Sequence, residues 1–137
     1  MRNRNIDILE HIRDYCIDIG NTMQRFGNEK AVFETDMDYR NSVCMSLLQI
    51  GELTGHLTEE FRDSTKERMY WPAIKGMRNL FAHNYGAVDI DKVWDTTISD
   101  IPQLFAFCEE NIQRCRVMMQ EEVLPEREDD LEEDQER

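Results

Sequence analysis

The segment NIDILEHIRDYCIDIGNTMQRF, residues 5–26, sets the fold class. Its members Leu9, Ile12, Cys16, Ile19, Met23 and Phe26 recur alternately three and four residues apart. On a helix of 3.6 residues per turn that spacing gathers them on one face. Gly27 follows as a helix stop, because glycine readily takes the left-handed conformation that ends helices. The chain therefore opens with an amphipathic helix that has one face to bury.

The same period recurs downstream. Residues 28–35 read as a polar loop. Thr35-Asp36-Met37-Asp38 resembles a capping box and opens a second helix to about Phe61, striped by Tyr39, Val43, Leu47, Ile50, Leu57 and Phe61. Gly51 and Gly55 lie inside that stretch. Each costs up to ~1 kcal/mol relative to Ala, a cost that a closely packed neighbouring helix would justify. Residues 62–70 are charged and irregular, with a short turn expected near Ser64–Arg68. Pro72, favoured in a first helical turn, begins a third helix to about Ala82, with Ile74, Met77 and Phe81 facing inward. Asp89 caps a fourth helix holding Ile90, Val93, Trp94, Thr97 and Ile98. Pro102 should break it, with Ser99 or Asp100 capping a fifth, striped by Leu104, Phe105, Cys108, Ile112, Cys115 and Met119. No stretch alternates in the manner of a strand. The expected fold is all-α, an antiparallel four- to five-helix bundle. Met45, Leu48 and Trp94 exceed a single stripe. A homodimer interface or a broad core face accounts for them equally well.

A chain of 137 residues with only 6 Gly and 3 Pro suits one helical domain. The net charge of −13 is uneven: residues 121–137 hold 10 acidic and 2 basic side chains. We expect a helical domain over 1–120 and an acidic, disordered tail over 121–137. No apolar run spans a bilayer and the amino terminus has no secretory pattern, so a cytoplasmic location is expected. Cys16, Cys44, Cys108 and Cys115 form no C-x-x-C pair and fall at apolar helical positions, the pattern of buried, reduced thiols. Neither a metal site nor a cofactor motif is expected from the spacing of histidines, cysteines and carboxylates. Outside the tail, 19 acidic against 14 basic residues make a poor general nucleic-acid binder. Any RNA-directed chemistry must use a local basic site or a positive surface shared between subunits.

Three histidines are present. His11 and His56 occupy ordinary polar positions and read as surface or rim residues. His83 differs, because it closes the pattern Arg78-x4-His83-x-Tyr85 near the end of the third helix. RNA cleavage without a metal needs a proton taken from a 2′-hydroxyl and one given to the leaving 5′-oxygen, and histidine performs either transfer. Arginine offers a permanently charged fork of donors for the charge gathering on the phosphate oxygens. Asn79 adds a neutral hydrogen bond, and Tyr85 a surface for a base or a position for modification. A bland reading stands beside this one: a surface ion pair for Arg78, a helix cap for His83, a core ring for Tyr85. Five residues on a straight helix diverge by roughly 140°. Arg78 and His83 therefore converge only if the helix loosens or two subunits contribute.

The wider pattern carries more weight. Asp38-Tyr39-Arg40-Asn41, Leu48-Gln49-Ile50-Gly51-Glu52, Trp71 through Tyr85, Val88-Asp89, Val93-Trp94 and Asp100-Ile101-Pro102-Gln103-Leu104 follow one another in an order that resembles the HepT family of HEPN-domain toxins, over about residues 5–118. The resemblance implies a dimerising helical bundle with the motifs of two subunits facing one cleft. It implies metal-independent endoribonuclease activity on tRNA or mRNA, with Arg78 and His83 matching the catalytic pair and Asn79 the supporting polar residue. It also implies an MntA-type nucleotidyltransferase antitoxin that silences the toxin by AMP transfer to the tyrosine matching Tyr85. The acidic tail and the highly charged segment 62–70 depart from the family pattern. Glu52 belongs to it and is expected to fix Arg78 or a backbone group rather than to react. The alternative is a non-catalytic HEPN module that partners a nucleotidyltransferase or binds a nucleotide.

Overall fold

The computed structural model describes the backbone of residues 3–82 and 88–136 and the side chains of residues 3–78 and 88–121. Among them the chain forms α1 (Arg4–Phe26), α2 (Lys30–Thr35), α3 (Met37–Thr54), α4 (Glu59–Thr65), α5 (Trp71–Ala82), α6 (Ile90–Asp95), a π-helical turn (Thr96–Asp100) and α7 (Ile101–Glu136). The all-α bundle expected from the sequence is the fold. Four longer helices, α1, α3, α5 and α7, build it, with α1 packed against α3 and α7, and α3 packed in turn against α5. No described helix is long and apolar enough to cross a membrane.

Local chemistry accounts for the boundaries. The Asn3 side chain caps α1 by accepting from the Asn5 amide. Gly27, at φ 95°, closes that helix by donating its N–H to the Met23 carbonyl. Asp36 caps α3 through the Tyr39 amide, and Asp89 caps α6 through the Lys92 amide. The stripe on α1 is buried from Leu9 to Ile19, with Met23 and Phe26 partly buried against the core and Leu9 and Ile12 wholly inaccessible. They pack with Tyr39, Val43, Leu47 and Ile50 of α3 and Leu104, Cys108 and Ile112 of α7 in a single core. All four cysteines are free thiols, three of them buried and Cys115 partly so.

Three expectations are corrected. The loop placed at 28–35 contains α2, held by Phe33, whose buried ring lies 5.2 Å edge-on from Tyr39 and 5.3 Å from Trp94. Of the residues beyond a single stripe, Trp94 is 7 % exposed within this cluster, as a broad core face requires, whereas Met45 is 57 % exposed. The second helix ends at Thr54 rather than Phe61, and a fresh helix starts where Thr58 caps the Phe61 amide. Pro102 does not break the chain into separately capped helices. The preceding turn widens to π geometry, the Ile101 amide bonding five residues back to Thr96, and helical dihedrals continue through the junction. A π turn opens space where a proline ring would otherwise strike the carbonyl four residues earlier. α7 then extends from Ile101 to Glu136.

Candidate active site

The beginning of α5 is fixed by Trp71. Its ring is 3 % exposed, lies 5.4 Å from Phe107, and donates its indole N–H to Thr65 Oγ1 at 2.8 Å. From that anchor α5 crosses α3 at Gly51. A Cβ built on Gly51 would lie 2.8 Å from the backbone nitrogen of Arg78 and 3.1 Å from its Cβ. Only a residue without a side chain admits this approach, which is the reason for a glycine in the last turn of α3. Gly55 continues the small-residue face. Its Cβ position would lie 3.8 Å from Cε of Lys75. Lys75 and Arg78, three residues apart on α5, therefore emerge on one side over the glycine face of α3.

Glu52, next to Gly51, meets Arg78 there. Its Oε1 accepts from Arg78 Nε at 2.6 Å, with 55 % of the arginine and 42 % of the glutamate side chain exposed. At that exposure an ion pair contributes only about 0–1 kcal/mol to stability, so its consequence is geometric. The bond occupies the inner edge of the guanidinium and leaves Nη1 and Nη2 without hydrogen bonds to the described residues. A carboxylate in the last turn of α3 also faces the negative helix end, and the Arg78 charge offsets that repulsion. The pair borders a groove of about 280 Å³ lined by Gly51, Glu52, Gly55, His56, Lys75 and Arg78.

Of the residues singled out in the sequence, Arg78 is thus placed on an open groove and oriented by Glu52, the role expected for that glutamate. Asn79 follows it on α5, its side chain outside the described residues, and His83 and Tyr85 lie wholly outside them. Two groove residues escaped the sequence reading: Lys75, an ordinary charged position in the helix, and His56, assigned to the rim. The signal that could have found them is the glycine pair, which fixes which face of α3 meets α5. His56 follows Gly55 directly, and Lys75 is one turn before Arg78. An exposed arginine, a lysine and an imidazole share this groove with the Glu52 carboxylate, which makes it a candidate anion site on an acidic chain.

A family model described as ribonuclease HepT-like matches residues 6–111. A protein named "Putative RNase TTE0752" from Caldanaerobacter subterraneus subsp. tengcongensis is 30% identical over 106 residues, covering 77% of this chain and 92% of that protein. No solved structure gives a significant match.

Proposed function

The chain belongs to the HepT-like ribonuclease family, and from that premise we propose that it is an endoribonuclease toxin whose chemistry is carried by Arg78 and His83. The observation that carries the reading is Arg78 itself. Its Nε is held by Glu52, and the half-exposed guanidinium lines a groove with Lys75 and His56, an arrangement suited to bind a phosphate whose charge grows in the transition state. In this mechanism the 2′-oxygen attacks the adjacent phosphorus, the 5′-oxygen departs, and a 2′,3′-cyclic phosphate and a 5′-hydroxyl result. His83 takes the 2′-hydroxyl proton or protonates the leaving oxygen. Arg78 binds the equatorial phosphate oxygens and Asn79 adds a neutral donor. No step requires a metal ion.

Two features of the proposal concern partners. A homodimer would bring two Arg78–His83 segments to one cleft, relieving the divergence of residues five apart on one helix. Tyr85, two residues beyond His83, would be the position at which an MntA-type nucleotidyltransferase antitoxin attaches AMP, adding bulk and negative charge where a phosphate must bind. The substrate class is tRNA or mRNA. The experiment incubates purified protein with total tRNA and mRNA in EDTA, beside His83→Ala and Arg78→Ala. Cyclic-phosphate ends produced by the parent chain alone are the expected result. Equal cleavage by parent and variants, or none by any, would sink the proposal. The rival, a non-catalytic module, predicts nucleotidyltransferase or nucleotide binding with no such ends.

A further inference from the structure

The Arg78 groove shares Lys75 with a neighbouring one. The same lysine lines a second groove of about 550 Å³ between α4 and α5, which also presents Arg62, Lys66 and Tyr70. Two observations there are unexplained by the fold. Tyr70 precedes the buried Trp71, yet its own ring is 72 % exposed. Arg62 Nε is buried with no hydrogen-bond partner among the described residues. Glu59 and Asp63 line the groove too, so it is not simply a positive surface. Its distinguishing content is an exposed ring beside cations, the combination on which single-stranded nucleic acid is held. Bases stack on aromatic faces while the cations track the backbone.

We infer that the RNA strand leaves the Arg78 groove along the amino-terminal half of α5, its backbone held at Lys75 and an unstacked base resting on Tyr70. The inference rests on the reading of Arg78 as the residue at the scissile phosphate. Tyr70 immediately precedes α5 and Arg78 lies seven residues past its first residue, about 10 Å along the helix axis from Trp71, and Lys75 lies between them on both grooves. The segment 62–70, charged beyond the family pattern, thereby acquires a use: it is where this chain would grip the strand flanking the cut.

The test uses the full chain and a fluorescein-labelled, single-stranded 2′-O-methyl RNA of mixed sequence, roughly ten nucleotides long, within the span of known single-strand sites. Methylation removes the attacking hydroxyl, so anisotropy reads binding alone. Lys75→Gln is expected to weaken binding about 5- to 10-fold and to lower the slope of log affinity against log salt by about 0.7, the value of one phosphate contact on a single strand. Tyr70→Ala is expected to weaken binding roughly 5- to 100-fold with the salt slope unchanged, as loss of a stacked base requires. Cleavage of unmodified RNA is followed in parallel, and the losses are expected in KM rather than kcat. Both side chains are exposed, and unchanged melting temperatures would exclude unfolding as the cause. A parent chain that cuts RNA, with both variants binding like it, overturns the strand path and leaves the ribonuclease reading intact. Binding that depends on Lys75 and Tyr70 without any cleavage retains the path and overturns that reading. A parent chain that does not bind the probe overturns the path, and if it also cuts no RNA, the ribonuclease reading falls with it.

Discussion

At the scale of single residues, the ion pair between Glu52 and Arg78 separates stability from chemistry. Both side chains are about half exposed, so Glu52→Ala is expected to change the free energy of unfolding by less than about 1 kcal/mol. Cleavage should respond more. With its inner edge released, the guanidinium samples many rotamers, and kcat should drop roughly tenfold, about 1.4 kcal/mol of transition-state stabilisation. Glu52→Gln keeps an acceptor for Nε and should recover part of that loss. Urea unfolding and single-turnover cleavage, run on the same three proteins, check the division. A fall in stability matching the fall in rate would return Glu52 to a purely structural role.

At the scale of elements, the glycines of α3 decide how near α5 can come. Gly51→Ala would place a methyl carbon 2.8 Å from a backbone nitrogen, and backbone yields less easily than a side chain. A loss of roughly 1–3 kcal/mol, as in overpacked cores, is expected in urea unfolding, with cleavage falling alongside it. Gly55→Ala meets only the Glu52 carbonyl at 3.3 Å and the flexible Lys75 side chain, and should be far milder. A Gly51→Ala chain as stable as its parent would show that the helices do not approach this closely. This close approach was legible in the sequence, because two glycines inside an expected helix need a cause, although Gly55 proves to be the cap that ends α3. So were the cap at Asp89 and the stop at Gly27, where one side chain or one backbone conformation suffices, whereas α3 is capped by Asp36 and not by the Thr35 of the expected capping box. The helix at Lys30–Thr35 was not: it is six residues long, Glu29 gives it no side-chain cap, and it is secured by Phe33 packing on residues distant in sequence. The π turn before Pro102 was equally hidden, since a proline signals interruption without saying whether the chain breaks or widens. For the site, motif spacing singled out Arg78, but Lys75 and His56 join it only through the crossing of α3 and α5.

At the scale of the whole molecule, the interior sets an alkaline limit. Burial pushes the Cys16 thiol from 9.0 up to about 12 and raises Cys108 further. Burial also raises Tyr39, and a hydrogen bond to Asp91 raises Lys30. A group whose pKa is raised by folding stabilises the native state fully below its unfolded pKa. That contribution fades as pH rises towards the folded value. All four groups therefore act in one direction. Stability should fall above pH 9, by about 1.4 kcal/mol per pH unit for each buried thiol. Urea midpoints measured in reductant from pH 8 upward should show this decline, and Cys16→Ala should flatten it. A slope unaffected by that substitution would mean the thiol ionises as freely folded as unfolded. The contact at Gly51 has a consequence of another kind, for genetics. If the chain arrests growth, a null allele reveals little and the wild-type allele kills its host. A small side chain forced between α3 and α5 withdraws stability without removing any reacting group. Such an allele would be conditional, silent in warm cells and active in cool ones, so that temperature would start and stop the attack on RNA in a living culture.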